Sequence, residues 1–255
     1  MAEFLVTERL ESGVELIRLA RPPLNALSTR LLAELADHAE GLAADAGLKA
    51  VVVTGTAKAF SAGAEVTEIS EGSALLATFR RALDGLVAIP RPVIAAVSGY
   101  ALGGGLETAL ACDLRLASES ARLGVPEILL GVFPGAGATQ RLPRLVGPAK
   151  AKEMIWTGRS VRTAEALALG LVDRVVPVDG YLEAALEWAA ILGRGAVVAM
   201  GLSKRAVDEG LDRPLGQGLD LEGELFREVL ATEDAATGLR SFRERGPGRA
   251  TFAGR

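Results

Sequence analysis

Apolar residues are spaced along this chain in two different ways. Leu31, Leu35, Ala39 and Leu42 recur at helical intervals behind Ser28, a side chain suited to capping a helix start. That spacing predicts a helix over about residues 28–44 with one face packed on a sheet. Val51-Val52-Val53 and Val93-Ile94-Ala95-Ala96-Val97 are instead short unbroken apolar runs, which predict buried strands. Each run leads through small residues towards a predicted helix. The first passes through Thr54-Gly55 into Ala59-Phe60-Ser61-Ala62-Gly63-Ala64-Glu65, and the second reaches Gly103-Gly104-Gly105 ahead of Leu106, Ala109, Leu110 and Cys112. Strand, small-residue loop and helix therefore recur over residues 51–69 and 93–112.

Beyond residue 145 the pattern is mostly helical. Pro148 starts a segment with Ala151, Met154 and Ile155, and Thr163-Ala164-Glu165-Ala166 starts another before Gly170. Leu171 to Pro177 reads as a short strand. Three further helices are expected, separated by breaks at Gly193-Arg194-Gly195, Gly210 to Pro214 and Thr232-Glu233-Asp234, with no low-complexity linker.

Composition narrows the function classes. A chain of 255 residues, 49% hydrophobic, can bury the core of one large domain, with or without an appendage. A formal net charge of -4 argues against nucleic acid as the main partner, although Arg240, Arg243, Arg245, Arg249 and Arg255 make the C-terminal tail locally basic. Cys112 is the only cysteine, sits among apolar helical positions and is expected in the core. His38 is the only histidine and is expected to be structural or exposed. With no Gly-x-Ser-x-Gly elbow and no second histidine, a serine triad has little support. The Walker pattern is absent, and Gly135-x-Gly137-x-x-Gln140 lacks the third glycine of a dinucleotide fingerprint. Neither a metal nor a redox cofactor is expected. Neither a signal peptide nor a transmembrane stretch is expected, which makes a cytoplasmic location the default.

The chemistry concentrates between residues 103 and 141. Gly103-Gly104-Gly105 opens a helix that carries Glu107; Glu127 follows in Val125-Pro126-Glu127, then Pro134-Gly135-Ala136-Gly137. Helix starts present unpaired N–H donors and partial positive charge, and glycine lets a ligand approach them, so an oxyanion can be stabilised there. The loop at Ala62-Gly63-Ala64 offers a second set of donors. A glycine cluster alone marks an ordinary turn, and a glutamate in a helix's first turn can serve the helix dipole. Two such loops with two acids suggest a site for enolate chemistry.

These segments resemble the crotonase, or enoyl-CoA hydratase/isomerase, family. The resemblance is carried by Phe60 to Glu65, by Pro92 to Glu107, and by Gly124-Val125-Pro126-Glu127 through Pro134-Gly135-Ala136-Gly137-Ala138-Thr139-Gln140-Arg141-Leu142. Weaker similarity runs from Pro23-Leu24-Asn25-Ala26-Leu27 to Thr232-Glu233-Asp234. It implies an α/β fold, a ClpP-like spiral of strand-strand-helix turns over residues 1–195, with a C-terminal helical trimerisation region over 196–255.

The resemblance also implies an enoyl-CoA hydratase of acyl-CoA catabolism, with coenzyme A arriving as part of the substrate rather than as a cofactor. By motif, the N–H groups of Ala64 and Gly104 match the oxyanion hole for the thioester carbonyl, with Gly103 and Gly105 supporting. Leu24 and Ala26 match the segment lining the coenzyme A groove, Ala62 its main-chain contact with the adenine, and Gly63 a further substrate-binding position. Pro22-Pro23 stands where relatives often carry a lysine, so a phosphate contact is expected to be missing. Glu107 matches the base that orients water, Glu127 the proton donor to C2, and the Gly135 N–H a group that orients Glu127. Arg245 is either a counterpart of the family's phosphate-contacting basic residues, often supplied across a subunit boundary, or part of a solvated helix face. A homotrimer or a dimer of trimers is implied. Isomerisation, other crotonase chemistries and a non-catalytic RNA-binding role are the alternatives, and Gly135, where dienoyl isomerases place an acid, speaks against that branch. Glu65 and Ala138 depart from the common aspartate and glycine.

Overall fold

The computed structural model describes residues 3–69 and 73–255. Its larger sheet has six strands in the order β1 (Leu5–Arg9), β2 (Val14–Leu19), β3 (Ala50–Thr54), β5 (Val93–Val97), β7 (Leu114–Ser118) and β10 (Arg174–Val176). Only β1 and β2 pair antiparallel; from β2 onward the ladder is parallel, with Val51 opposite Val93 and Ile94 opposite Leu114. The unbroken apolar runs of β3 and β5 follow from burial on both faces. Val51, Val53, Val93, Ala95 and Val97 join the main core with α1 (Thr29–Ala43) and α3 (Ser73–Ala88). Val52, Ile94 and Ala96 instead meet Tyr181, Ala185, Trp188 and Ala189 of α8 (Tyr181–Gly193).

A second sheet of four strands runs β4 (Ala59–Ser61), β6 (Tyr100–Leu102), β8 (Arg122–Gly124), β9 (Ser160–Arg162). Its first three strands are parallel and β9 closes it antiparallel. Strands β3 and β4, β5 and β6, and β7 and β8 are therefore successive turns of a spiral, each turn giving one strand to either sheet. Beyond β4 lies α2 (Val66–Ile69), beyond β6 lies α4 (Gly104–Leu110), and beyond β8 lies a 3-10 turn, Pro126–Leu130. This confirms the expected strand-strand-helix spiral. The repeat read directly from residues 51–69 and 93–112 lacked the second strand of each turn, because β4 and β6 are only three residues long.

The helix expected near 28–44 is α1, whose first-turn Leu31 N–H is capped by Ser28 Oγ at 3.3 Å. After β8 come α5 (Ala138–Val146), α6 (Pro148–Thr157) and α7 (Thr163–Ala168), the last two starting at the expected residues. Four helices rather than three form the end: α8, α9 (Val197–Gly210), α10 (Leu215–Leu230) and α11 (Glu233–Arg245). The three breaks were placed correctly, and three breaks divide four helices. Leu202 of α9 packs with Leu221 and Leu225 of α10 in a small separate core. No single helix among the described residues is long and apolar enough to cross a membrane. Cys112 is buried, as expected. His38 is partly exposed, with Nε2 2.8 Å from Glu15 Oε1.

Candidate active site

Chemistry gathers where three consecutive turns of the spiral leave the second sheet. The chain beyond β4 brings Ala62, Gly63 and Ala64 alongside the segment containing Leu24 and Ala26. Ala62 N–H donates to the Leu24 carbonyl (3.0 Å), Leu27 N–H to that of Gly63 (2.8 Å), and Glu65 N–H to that of Leu27 (3.0 Å). This strip is held from below by Asn25, buried, with φ 54°, whose Nδ2 donates to the Ala59 and Phe60 carbonyls. Arg21 lies at its edge, 2.8 Å from Glu65 Oε2 and 3.1 Å from the Ala26 carbonyl. The Glu65 that replaces the usual aspartate is thus an ion-pair partner, and hydrogen bonding to Arg21 holds its carboxyl below the ordinary glutamate range.

The loop beyond β6 lies against this strip. A Cβ placed on Gly104 would fall 3.5 Å from the Ala64 nitrogen and 2.7 Å from Cζ of Phe79, a ring supplied by α3. One placed on Gly105 would strike the Ser61 carbonyl oxygen at 2.3 Å. Two glycines in a row are therefore required by close approach, and the second lets α4 start directly on the neighbouring turn of the spiral. Among the described residues neither the Ala64 nor the Gly104 N–H has a hydrogen-bond acceptor. Two adjacent loops thus offer unpaired donors side by side.

Glu107, in the first turn of α4, is 2% exposed. Its Oε1 accepts the N–H groups of Ala136 (2.8 Å) and Ala138 (2.9 Å). Burial pushes this carboxyl above the usual range, while those N–H groups and the positive charge of Arg141 pull it back. Its Oε2 takes no protein hydrogen bond among the described residues, leaving one oxygen of an otherwise fixed carboxyl free.

Glu127, in the 3-10 turn beyond β8, approaches the same glycine loop. Gly103 has φ 54°, and a Cβ there would lie 2.7 Å from Glu127 Oε1, so a side chain at 103 would be strained and would displace the acid. Glu127 Oε2 is buried without a hydrogen-bond partner. Desolvation raises this carboxyl to about 7, with the nearby charge of Glu107 adding to the rise and its own backbone N–H opposing it. One acid is thus held by two amides beside a cation, the other keeps one oxygen buried without a partner. Such a pair divides into a base and an acid near neutral pH.

The structure gathers Ala64, Gly103, Gly104, Gly105, Glu107 and Glu127 in one place, with Leu24, Ala26, Ala62 and Gly63 leading to it. It does not bring Arg245 there within one chain: that side chain is exposed in the last turn of α11 and donates to Ser241 Oγ at 3.1 Å. Nor does Gly135 act as expected. Its N–H has no acceptor among the described residues, and the next residues, Ala136 and Ala138, hold the other glutamate. The Ala138 departure is accommodated because the N–H is what binds, while the methyl is buried in the core. Sequence reasoning missed both amide donors, and it missed Phe79 and Leu76 of α3, which cover Gly104 and Gly135. Backbone donors leave no residue-type signature; the clue was only the run of small residues through 138.

Comparisons with known proteins identify the family. The family model described as enoyl-CoA hydratase/isomerase matches residues 9–252. A protein named probable enoyl-CoA hydratase from Mycobacterium tuberculosis is 42% identical, covering 95% of this chain and 96% of its own. The 2,3-dehydroadipyl-CoA hydratase of Escherichia coli is 41% identical, over 95% of this chain and 96% of its own. The crystal structure of an enoyl-CoA hydratase from Bacillus anthracis superposes with a TM-score of 0.93 at 38% identity, over 99% of this chain and 100% of the other.

Proposed function

The chain belongs to the enoyl-CoA hydratase/isomerase family, and we propose from this premise and the paired glutamates that it adds water reversibly to the double bond of a 2-enoyl-CoA thioester, as a hydro-lyase of acyl-CoA catabolism. The observation that carries the mechanism is the unequal treatment of two neighbouring carboxyls: Glu107 fixed by two amides, Glu127 with Oε2 buried and unpartnered and its carboxyl raised to about 7.

The thioester carbonyl accepts the N–H groups of Ala64 and Gly104. As water adds, negative charge develops on that oxygen, and donors already in place stabilise it without reorganisation. Glu107, through its free Oε2, orients a water molecule and takes its proton while the oxygen bonds to C3. The C2–C3 π electrons move into the enolate. Glu127, protonated in about half of the molecules near pH 7, gives its proton to C2 in that form as the enolate collapses, so water's oxygen ends on C3 and a proton on C2. The enzyme is then left with Glu107 protonated and Glu127 ionised, and proton exchange with solvent resets both. Because the carboxyls sense each other, the two steps titrate as a pair.

The coenzyme A moiety runs along the Leu24 to Ala26 strip beside Ala62 and Gly63. Arg245 reaches a phosphate of a ligand held by a neighbouring subunit in a homotrimer or a dimer of trimers. The exposed apolar residues of α10 support such an assembly, and the cytoplasm is its compartment. The test is loss of the conjugated thioester absorbance of crotonyl-CoA on adding enzyme, with Glu107→Gln and Glu127→Gln as controls. Turnover is expected in the native protein and is expected to fall by ~100-fold or more in either variant; near-normal turnover in either would remove that residue from the mechanism.

A further inference from the structure

We propose that Arg141 is the positioning residue that sets Glu107 apart from Glu127, by fixing the turn that holds the Glu107 carboxyl and by placing a loosely paired cation behind it. The role of Glu107 under the proposed function is its premise. Arg141 stands in the first half of α5, with its side chain 26% exposed. Its guanidinium donates through Nη1 to the Ala136 carbonyl at 3.2 Å, so one peptide unit takes a bond from Arg141 while the N–H of the same residue holds Glu107. The turn is shaped around it: Gly137 has φ 122°, and a Cβ there would lie 2.3 Å from Arg141 Nη1. On its far side Nη2 reaches Asp84 Oδ1 of α3 only loosely, at 3.6 Å, and Asp84 is already paired with Arg80. A fork with five donors thus makes one hydrogen bond and one long ion pair.

The other charged groups around Glu107 are few. Glu127 faces it from the turn beyond β8. Strands β4 and β6, against which α4 packs, carry no charged side chain. Cys112, just beyond the C-terminal end of α4, has a thiol pushed up to about 12 by burial and stays neutral. Asp84 and Arg80 lie beyond Arg141 on α3 and oppose one another. Arg141 is therefore the cation available to keep Glu107 ionised, and it has no counterpart at Glu127. Helix α3 also presents Leu76 and Phe79 to the glycines of the site, so the Asp84 contact ties that cover to the turn that carries the base.

The test compares Arg141→Gln, Arg141→Lys and Asp84→Asn. Two readouts are taken: the pH dependence of kcat and KM for crotonyl-CoA, and titration of the Glu107 carboxyl by carbon-13 NMR in a Glu127→Gln background, assigned by difference with Glu107→Gln. Arg141→Gln is expected to move the Glu107 midpoint upward and to lower kcat about tenfold at pH 6, with little change in KM and a deficit that narrows as pH rises. Arg141→Lys restores the midpoint in large part. Asp84→Asn, a change at a half-exposed side chain, removes the competing acid and moves the midpoint downward; it decides the matter if Arg141→Gln does not fold. An unmoved midpoint in the folded variants, or a kcat loss of equal size at every pH, overturns the proposal. If the midpoints move as expected while the native protein shows no hydration, the assignment of Arg141 stands and the hydratase reading falls.

Discussion

Glu127, the proposed proton donor, shows how a carboxyl suited to that role would come at a cost to stability. Its carboxyl titrates at about 7 in the folded protein against an ordinary 4.5, so the folded state binds the proton more tightly than the unfolded state. The sign follows: stability is complete below the unfolded value and is lost as pH rises through about 7. Glu127→Gln should therefore leave the melting temperature nearly unchanged at pH 5 and raise stability at pH 8 by about 1–2 kcal/mol, the full shift being discounted for partial solvent access. Thermal denaturation at the two pH values checks this; equal effects at both would assign the change to packing instead. Gly104 carries the complementary constraint. A methyl there meets the Phe79 ring and crowds the Ala64 nitrogen, so Gly104→Ala should lower kcat by about a hundredfold, the range seen when an oxyanion donor is lost. Steady-state kinetics decide it, and an intact kcat with only a raised KM would mean that the N–H is not used in the transition state.

At the scale of elements, the placement of the site depends on loops that follow very short strands. Helix α1 illustrates what a sequence shows well: a polar cap, a helical stripe and a buried face at Leu31, Leu35 and Ala39. Ser28→Ala should destabilise the protein by about 1 kcal/mol in urea unfolding, because the Leu31 N–H loses its capping acceptor, with no effect on turnover. Strands β4 and β6 illustrate the opposite. Three residues are too few to display a period, and Ala59-Phe60-Ser61 is as consistent with a turn as with a strand. Their pairing is imposed by the neighbouring turns of the spiral, so it became legible only through resemblance to a whole family. The same limit applied to the site. Both glutamates and the glycine loop could be found by residue type, whereas the Ala136 and Ala138 amides that hold Glu107 are fixed by backbone path. Arg141 was visible only as one letter of a motif, since its relation to the Ala136 carbonyl and Asp84 depends on how α3 and α5 meet.

For the whole molecule, the C-terminal helices are the part that one chain leaves unfinished. Helix α10 turns Leu221 and Leu225 onto α9, yet Leu215, Leu219, Phe226 and Leu230 are 78%, 55%, 59% and 51% exposed. Their spacing of four, seven and four places them on one stripe, opposite the buried pair. Val207 and Leu211 at the end of α9, with Leu239 and Phe242 on α11, extend the apolar surface. A stripe of this size is costly to leave in water, and in the proposed assembly a second copy of the same chain would cover it without new chemistry. If the proposed assembly uses this stripe, replacing Leu219 and Phe226 together by glutamate should convert it to monomer in light scattering after size exclusion, while leaving the far-UV spectrum intact. Because both positions face away from α9 and from the two sheets, a monomer that keeps its secondary structure would report the interface itself rather than a folding defect. Unchanged mass would mean that another face carries the association. Turnover by the monomer then separates two roles for the assembly: a loss confined to KM would fit a coenzyme A contact lent by the neighbour's Arg245 region, and a loss confined to kcat would mean that assembly holds the glutamates in register.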